Sequence, residues 1–172
     1  MKIQIPVPPS ESKRLNELVE IQAVRQASNL SQRRLRDLDE NVPYLFDSII
    51  QSRYPSDLTL IEILSDSIRP IIFSQKKYYN AIRPWDLARK HRIYFDHDYV
   101  ESAQTPSYPS GHTAQAHFVA EMLSRKYPDL REQFHRLARE IEHSRLVLGV
   151  HFPSDNEAGR ILARELARRI PV

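Results

Sequence analysis

Apolar residues recur every three or four positions along most of this chain, with charged residues between them. Leu15 and Leu18 show this spacing near the start, and Leu58, Ile61 and Leu64 repeat it further on. Such a recurrence places an apolar stripe on one side of each helix in a series of α-helices. No segment alternates convincingly between apolar and polar residues, as a half-buried strand would. The pattern therefore predicts an all-α protein, a compact helical bundle.

Capping and proline residues predict where these helices begin and end. The residues expected to cap helix N-termini are Ser10 or Ser12, Ser31, Asp129, and Ser154 together with Glu157 as a capping box. We expect Pro70 to end or kink the helix that contains it, because proline lacks a backbone N–H and crowds the preceding turn. Residues 1–9 are rich in proline and predict an extended arm laid over the surface.

The length of 172 residues predicts one domain over 1–172, and 41% hydrophobic residues are typical of an ordinary globular protein. The longest apolar runs are far too short to span a membrane, and the first residues lack the apolar run of a secretory signal. We therefore expect a soluble, cytoplasmic protein, either a monomer or a homo-oligomer. A net charge of +3 gives little reason to expect a nucleic-acid partner. The absence of cysteine excludes disulfides and a thiol nucleophile.

A first group of candidate residues contains Lys76 and Arg83, followed by Pro84. The two cations are seven positions apart, which is two turns of a helix, so we expect them on one helical face. Like charges aimed in one direction repel each other unless they share an anion. The alternative interpretation is a solvated basic face, and Lys77 competes with Lys76 for any role in a site.

A second group is the Pro-Ser-Gly-His segment at residues 109–112, at a predicted helix start. The free N–H groups of a helix N-terminus attract anions, and Gly111 lets a ligand approach the backbone. Ser110 adds a hydroxyl donor, and His112 can donate a proton near neutral pH. The alternative is an ordinary N-terminal turn with an incidental histidine.

A third group contains Arg145, His151 and Asp155, around the junction of two predicted helices. Extending the apolar stripe of Leu137 and Ile141 places Arg145 toward the core, where a guanidinium is costly unless it meets an anion. Asp155 can bond one ring nitrogen of His151 and leave the other free to attack. The alternative is a structural histidine, with Asp155 serving only the helix dipole.

Taken together, the three groups supply cations, a backbone anion site, a proton donor and an oriented imidazole, which are the parts of a phosphoryl-transfer site. The sequence resembles the superfamily of type-2 phosphatidic acid phosphatases, bacterial class A non-specific acid phosphatases and vanadium-dependent haloperoxidases. The motifs that carry the resemblance are Lys-x6-Arg-Pro at 76–84, Pro-Ser-Gly-His at 109–112, and Ser-Arg-x5-His-x3-Asp at 144–155. Their surroundings are most similar to the soluble acid phosphatases.

The resemblance implies a metal-independent phosphatase that acts on small phosphate monoesters through a phosphohistidine and needs no cofactor. His151 would be the nucleophile, Asp155 would orient it, and His112 would be the general acid and base. The groups implied to hold the phosphate oxygens are Lys76, Arg83, Ser110, Gly111 and Arg145.

Three alternatives remain open at the level of sequence. The same pocket could hold vanadate, as an inhibitor or as the cofactor of a haloperoxidase, since vanadate mimics the trigonal-bipyramidal transition state. The protein could instead hydrolyse lipid phosphates or pyrophosphates at a membrane surface. It could also be a non-catalytic module that binds anions or nucleic acid.

Overall fold

A computed structural model describes residues 3–170, which form eight α-helices, two 3₁₀ turns and no β-strand. The helices are α1 Glu11–Ala27, α2 Gln32–Glu40, α3 Val42–Gln51, α4 Leu58–Tyr79, α5 Pro84–Lys90, α6 Gly111–Lys126, α7 Arg131–Val147 and α8 Pro153–Arg169. The 3₁₀ turns are Glu101–Ala103 and Pro128–Leu130. The prediction of an all-α fold is confirmed.

The first two helices begin where the capping residues predicted. The hydroxyls of Ser10 and Ser31 accept the backbone N–H of the residue three positions later, as N-caps do. The predicted cap at Asp129 is wrong, because this residue lies in the 3₁₀ turn before α7. Its carboxylate accepts hydrogen bonds from Arg53 and Tyr54 instead, and so ties this turn to the end of α3.

The predicted capping box of Ser154 and Glu157 is also wrong. Helix α8 begins at Pro153, and the Asp155 carboxylate accepts the backbone N–H of Phe152 at 3.0 Å. Proline suits this first helical position because its missing N–H would have no intrahelical acceptor there. The start of α8 is therefore fixed by the aspartate that the sequence analysis placed beside His151.

Pro70 was expected to end or kink its helix. Helix α4 runs through Pro70 as one element, so the helix does not end there. Proline forfeits one backbone hydrogen bond, the one to the carbonyl four residues earlier. The buried residues Ile61, Ile68 and Ile72 lie on both sides of Pro70 and continue one apolar face along the helix. Packing of that face outweighs the local preference of proline.

Helix α6 lies at the centre of the bundle and packs against α4, α7 and α8. On one side Val119 and Leu123 join a core cluster with Phe134 of α7 and with residues of α3 and α4. On the other side Phe118 joins a second cluster with Leu162 of α8 and with residues of α4. Its N-terminal end therefore meets the ends of several other helices.

A glycine allows α8 to approach the start of α6 closely. A Cβ atom at Gly159 would lie 2.8 Å from the carbonyl oxygen of Ser110, a separation that real Cβ atoms do not show. Nearby, the Ser110 N–H donates to the carbonyl of Asp155 at 3.0 Å. This close approach brings the second and third candidate groups together.

The segment before α1 has no regular secondary structure from residue 3 onward. Ile5 is buried against the cluster between α6 and α8, and the Tyr108 hydroxyl donates to the carbonyl of Pro6. The predicted arm therefore lies against the bundle, while residues 1 and 2 are outside the described residues. No helix within residues 3–170 combines the length and the apolar character needed to cross a membrane.

Candidate active site

The cavity that contains the candidate residues has a volume of about 230 Å³. Predicted site residues that line it are Lys76, Arg83, Gly111, His112 and His151. Two clefts elsewhere, of about 620 Å³ and 280 Å³, are lined by neither His112 nor His151. The fold thus brings together, at helix ends, residues from all three candidate groups.

Lys76 and Arg83 both face this cavity, but not for the reason that their spacing suggested. Helix α4 ends at Tyr79, and Asn80 adopts a left-handed conformation with φ 44°. Arg83 lies beyond this break, as the N-cap of α5. The prediction of a shared helical face is therefore wrong, and a turn between two helices brings the cations together. Lys76 is buried whereas Lys77 is exposed, so Lys76 is the lysine of the site.

The guanidinium of Arg83 is held by the loop backbone and touches His151. Its Nε and Nη1 donate to the carbonyls of Thr105 and Val150 at 2.8 and 2.7 Å. Nη1 also lies 3.0 Å from His151 Nε2. Since an arginine can only donate, Nε2 must be the unprotonated ring nitrogen. An acceptor at Nε2 places the ring proton on Nδ1.

The carboxylate of Asp155 is consistent with the same tautomer. Its Oδ2 lies 3.0 Å from His151 Nδ1 and also accepts the Phe152 N–H and the Ser107 hydroxyl. Its Oδ1 accepts from Arg14 at 2.8 Å. Both contacts of the His151 ring therefore require a proton on Nδ1 and a lone pair on Nε2, which is the nucleophilic form of a neutral imidazole.

His112 lies on the first turn of α6 and is held by α2. Its Nε2 is 2.9 Å from the backbone carbonyl of Asp39 and 3.3 Å from Asp39 Oδ1. A carbonyl can only accept, so Nε2 carries a proton and Nδ1 is the nitrogen available to a ligand. Asp39 was not among the residues predicted from the sequence.

Arg145 points inward, as the apolar stripe predicted, and is 1% exposed. The anion that it meets is Asp39, whose Oδ1 lies 2.7 Å from Arg145 Nη1. The guanidinium does not line the cavity, and its buried Nε has no hydrogen-bond partner among the described residues. Arg145 is thus positioned behind the cavity wall, next to His112 through their shared contact with Asp39.

Ser110 and Gly111 form the start of α6. The Ser110 hydroxyl donates to Thr113 Oγ1 at 2.9 Å and accepts the Thr113 N–H, so it caps the helix and is fully buried. Gly111 lines the cavity. The N–H groups of the first helical turn have no intrahelical acceptor, so the backbone at Gly111 and His112 offers an anion site. Ser110 would have to rotate its hydroxyl to contribute.

Burial and nearby positive charge lower the pKa values of Lys76 and Arg83, two cations of the cavity. Burial and the charge of Arg83 lower the pKa of Lys76 to about 7. Burial, together with the charge of Arg145, lowers the pKa of Arg83 to about 10. Burial is the largest cause of both shifts, and an incoming anion opposes it by pairing with the buried cations.

Both histidines of the cavity are neutral near neutral pH. Burial, with the charge of Arg145, lowers the pKa of His112 to about 4. Burial and the charge of Arg83 hold the pKa of His151 well below its usual value. Although burial opposes its ionisation, Asp39 has a lowered pKa because Arg145 and His112 lie beside it.

Three charged residues of the site lie on α1 and α2, two helices in which no candidate site residue was predicted from the sequence. Asp39 of α2 contacts Arg145 and His112, while Arg14 and Glu17 of α1 contact the first turn of α8. A signal was present in the helical pattern. The stripe of Leu18 and Ile21 in α1 includes position 14, and that of Leu35 in α2 includes position 39. The same kind of observation, a charged residue on a stripe that faces the core, led to the prediction that Arg145 points inward.

Within residues 3–170, no group of three or more histidine, aspartate or glutamate side chains is arranged to hold a metal ion.

The chain is similar in sequence to known proteins. The model of the PAP2 superfamily matches residues 57–170, about two thirds of the chain. Non-specific acid phosphatases of Salmonella typhi and of Salmonella typhimurium are each 38% identical over 96 residues, which are 55% of this chain and 38% of each relative. The non-specific acid phosphatase of Providencia stuartii is 36% identical over 66 residues, or 38% of this chain and 27% of that protein. The matches thus span less than two fifths of the relatives' length.

The fold is also similar to that of a solved structure. The transmembrane PAP2 type phosphatidylglycerolphosphate phosphatase of Bacillus subtilis superposes with a TM-score of 0.62 over 92% of this chain and 84% of that one, at 16% identity. This likeness concerns the fold alone. The family match covers all three candidate groups, and the superfamily that their motifs suggested is confirmed: the chain belongs to the PAP2 superfamily.

Proposed function

We propose that this protein is a metal-independent phosphatase that hydrolyses phosphate monoesters through a phosphohistidine intermediate. The observation that carries the proposal is the hydrogen-bonded series Arg83–His151–Asp155. It fixes the lone pair of His151 Nε2 beside a guanidinium, at a cavity that Lys76 also lines. A nucleophile next to fixed cations suits an electrophile that carries negative charge.

In the first step, His151 Nε2 attacks phosphorus and the bond from phosphorus to the leaving oxygen breaks. The phosphate oxygens take the place of Nε2 as acceptors for Arg83, which frees the lone pair for the attack. The ring becomes cationic, and Asp155 at its Nδ1 side stabilises that charge. The incoming negative charge also raises the pKa of His112, so that this ring gains a second proton and donates it from Nδ1 to the leaving oxygen.

In the second step, the neutral His112 accepts a proton from a water molecule through Nδ1. The hydroxide attacks phosphorus, the bond from phosphorus to Nε2 breaks, and inorganic phosphate forms. His151 regains its lone pair and His112 its proton. Lys76, Arg83 and the N-terminal N–H groups of α6 supply, in this proposal, the positive charge that a metal supplies in other phosphatases.

The similarity to non-specific acid phosphatases supports a phosphatase, and the cavity favours a small phosphorylated substrate. A phosphate monoester carries a charge of about −1.5 to −2 at pH 7. Three cationic side chains line the cavity, those of Lys76, Arg83 and Arg69, together with one carboxylate, that of Glu101. The hydroxyl of Ser110 and the guanidinium of Arg145 lie behind its wall. The balance of charge therefore favours a terminal phosphate group over a phosphodiester, which carries less negative charge.

The test is hydrolysis of p-nitrophenyl phosphate in the presence of excess EDTA. We expect turnover that EDTA does not reduce, and an acid-labile, base-stable phosphoenzyme when the reaction is quenched rapidly. A panel of nucleotides, sugar phosphates, diphosphates and lipid phosphates would then rank the substrate classes. Absence of turnover on the whole panel, or complete loss with EDTA, would contradict the proposal.

A pH profile would test the role of Lys76. Lys76 holds an anion only when protonated, and its pKa of about 7 in the free protein means that kcat/KM should fall as the pH rises above about 7. Arginine stays protonated throughout this range. In the variant Lys76→Arg we therefore expect a lower maximum of kcat/KM but an alkaline limb displaced to higher pH.

The neighbouring lysine offers a matched control for this measurement. Lys77 is exposed, so Lys77→Arg should leave the profile as it is in the wild type. If the alkaline limb stays in the same place in Lys76→Arg, Lys76 is not the group that titrates.

A further inference from the structure

We propose that Arg14 of α1 is a positioning residue, which holds the Asp155 carboxylate so that His151 is kept in its nucleophilic tautomer. The inference deepens the function proposed above and rests on it. Residue 14 precedes the segment that matches the PAP2 model, which begins at residue 57. The role therefore follows from the contacts of this chain and not from the motifs of the superfamily.

The two oxygens of Asp155 have separate partners. Oδ1 accepts from Arg14 Nη2 at 2.8 Å, whereas Oδ2 faces the Nδ1 atom of His151 at 3.0 Å. The side chains of Arg14 and Asp155 are 6% and 0% exposed, so solvent cannot replace either partner easily. With Oδ1 anchored, the plane of the carboxylate is fixed, and Oδ2 is directed at the ring proton.

The guanidinium of Arg14 is itself held in one position. Its central carbon lies 4.5 Å from the centroid of the Phe152 ring and 5.8 Å from that of Tyr108. Such contacts of a cation over a ring face are favourable, and they limit the movement of the side chain. Phe152 and Tyr108 adjoin His151 and the Pro-Ser-Gly-His segment in sequence, so Arg14 is packed against both parts of the site.

A second contact fixes the helix that carries Arg14. Glu17 lies one turn further along α1, and its carboxylate accepts the N–H and the hydroxyl of Ser154, both at 2.8 Å. Residues three positions apart on one helix thus bind two adjacent residues at the start of α8. This double contact sets the distance of α1 from the His151–Asp155 pair.

Arg14 also affects the charge that His151 experiences. Four groups that carry or can gain a positive charge face His151: Lys76 from α4, Arg83 before α5, Arg145 from α7, and His112 from α6 when it is protonated. The anion in contact with His151 is Asp155 from α8. Behind them, Asp39 of α2 pairs with Arg145, and Glu17 of α1 lies beside Asp155. Arg14 offsets part of the negative charge of Asp155 and so opposes protonation of the ring.

The experiment compares Arg14→Gln, Arg14→Lys and Arg25→Gln in the full chain. Arg25 is a matched control, because it also lies on α1 and pairs with two carboxylates, those of Asp96 and Asp98, away from the cavity. For Arg14→Gln we expect kcat on p-nitrophenyl phosphate to fall roughly 10- to 100-fold, by analogy with the loss of a partner that orients a metal-bound histidine. KM should change little, because Arg14 does not line the cavity.

The acid limb of kcat/KM should move to higher pH in Arg14→Gln, since His151 then becomes protonated more easily. Arg14→Lys, which keeps the charge, should restore the position of the limb and part of kcat. Arg25→Gln should leave the limb where it is in the wild type, whatever it does to the melting temperature. Wild-type kcat with an unmoved limb in Arg14→Gln would overturn the proposal, as would an equal displacement in Arg25→Gln.

A second measurement does not depend on turnover. The ¹⁵N chemical shifts of the ring of His151, assigned with His151→Asn, report its tautomer and its titration in the ligand-free protein. We expect the Nδ1–H tautomer in the wild type, and in Arg14→Gln a titration midpoint displaced to higher pH. An unchanged midpoint would overturn the role of Arg14 even in an active enzyme. A displaced midpoint in a protein without phosphatase activity would uphold that role and reject the proposed function.

Discussion

Replacing His151 by alanine is expected to lower kcat for p-nitrophenyl phosphate by on the order of 10⁴-fold or more, while the protein stays folded. The loss should be this large because no neighbouring group can replace the nucleophile. Asp155 is held by four donors, Arg83 has no lone pair to attack with, and Lys76 has none in the protonated form that holds the phosphate. Release of p-nitrophenolate in EDTA gives the rate, and a rapid quench should show no phosphoenzyme.

His143 offers a control of the same residue type for this measurement. It is exposed on α7, in the same region of the sequence as Arg145, so His143→Ala should keep wild-type kcat. A phosphoenzyme that still forms in His151→Ala would assign the nucleophile to another residue. Retention of more than a small fraction of kcat would reject the phosphohistidine mechanism altogether.

Replacing His112 by alanine should have the second largest effect, and its size should depend on the leaving group. General acid catalysis is typically worth about 10²- to 10⁴-fold. An alkyl phosphate needs a proton on its leaving oxygen and should lose the full amount. The p-nitrophenolate ion leaves without a proton, so formation of the phosphoenzyme should be much less affected. Its hydrolysis should still be slow because no base activates the water.

The distinguishing result for His112→Ala is therefore a burst of p-nitrophenolate followed by slow turnover, with accumulation of the phosphoenzyme. His117 provides the control, since it lies on the same helix and is bonded to Glu142 outside the cavity. His117→Ala should behave as the wild type. Equal losses with aryl and alkyl substrates, without a burst, would show that His112 has another role.

The parts of the site that the sequence predicted are those determined by short stretches of chain. The His151–Asp155 contact spans four residues, and the cap of Ser110 on α6 spans three. The inward direction of Arg145 followed from the 3.6-residue period of α7. In each case the geometry of one helix end or one stripe is sufficient, so no knowledge of tertiary packing was needed.

The parts that were wrong or missing depend on contacts between distant segments. The left-handed conformation of Asn80 ends α4, so Lys76 and Arg83 belong to different helices. Pro84 was a local signal for such a break, because a proline disfavours the helical conformation of the residue before it. Arg14 and Asp155 are separated by 141 positions, and Asp39 and Arg145 by 106. Helical periodicity shows which way such a side chain faces but not which partner it meets.

The ion pairs that join α1 and α2 to the far end of the chain also bear on how the protein folds. If α1 and α2 opened by themselves, Asp155 and Arg145 would each lose the partner of a buried charge, and breaking such a pair costs about 3–5 kcal/mol. The total stability of a domain is typically about 5–15 kcal/mol. Unfolding of these two helices alone would therefore require a large part of the free energy of global unfolding. The cooperative folding unit should extend beyond the segment shared with the superfamily, back to the first helix.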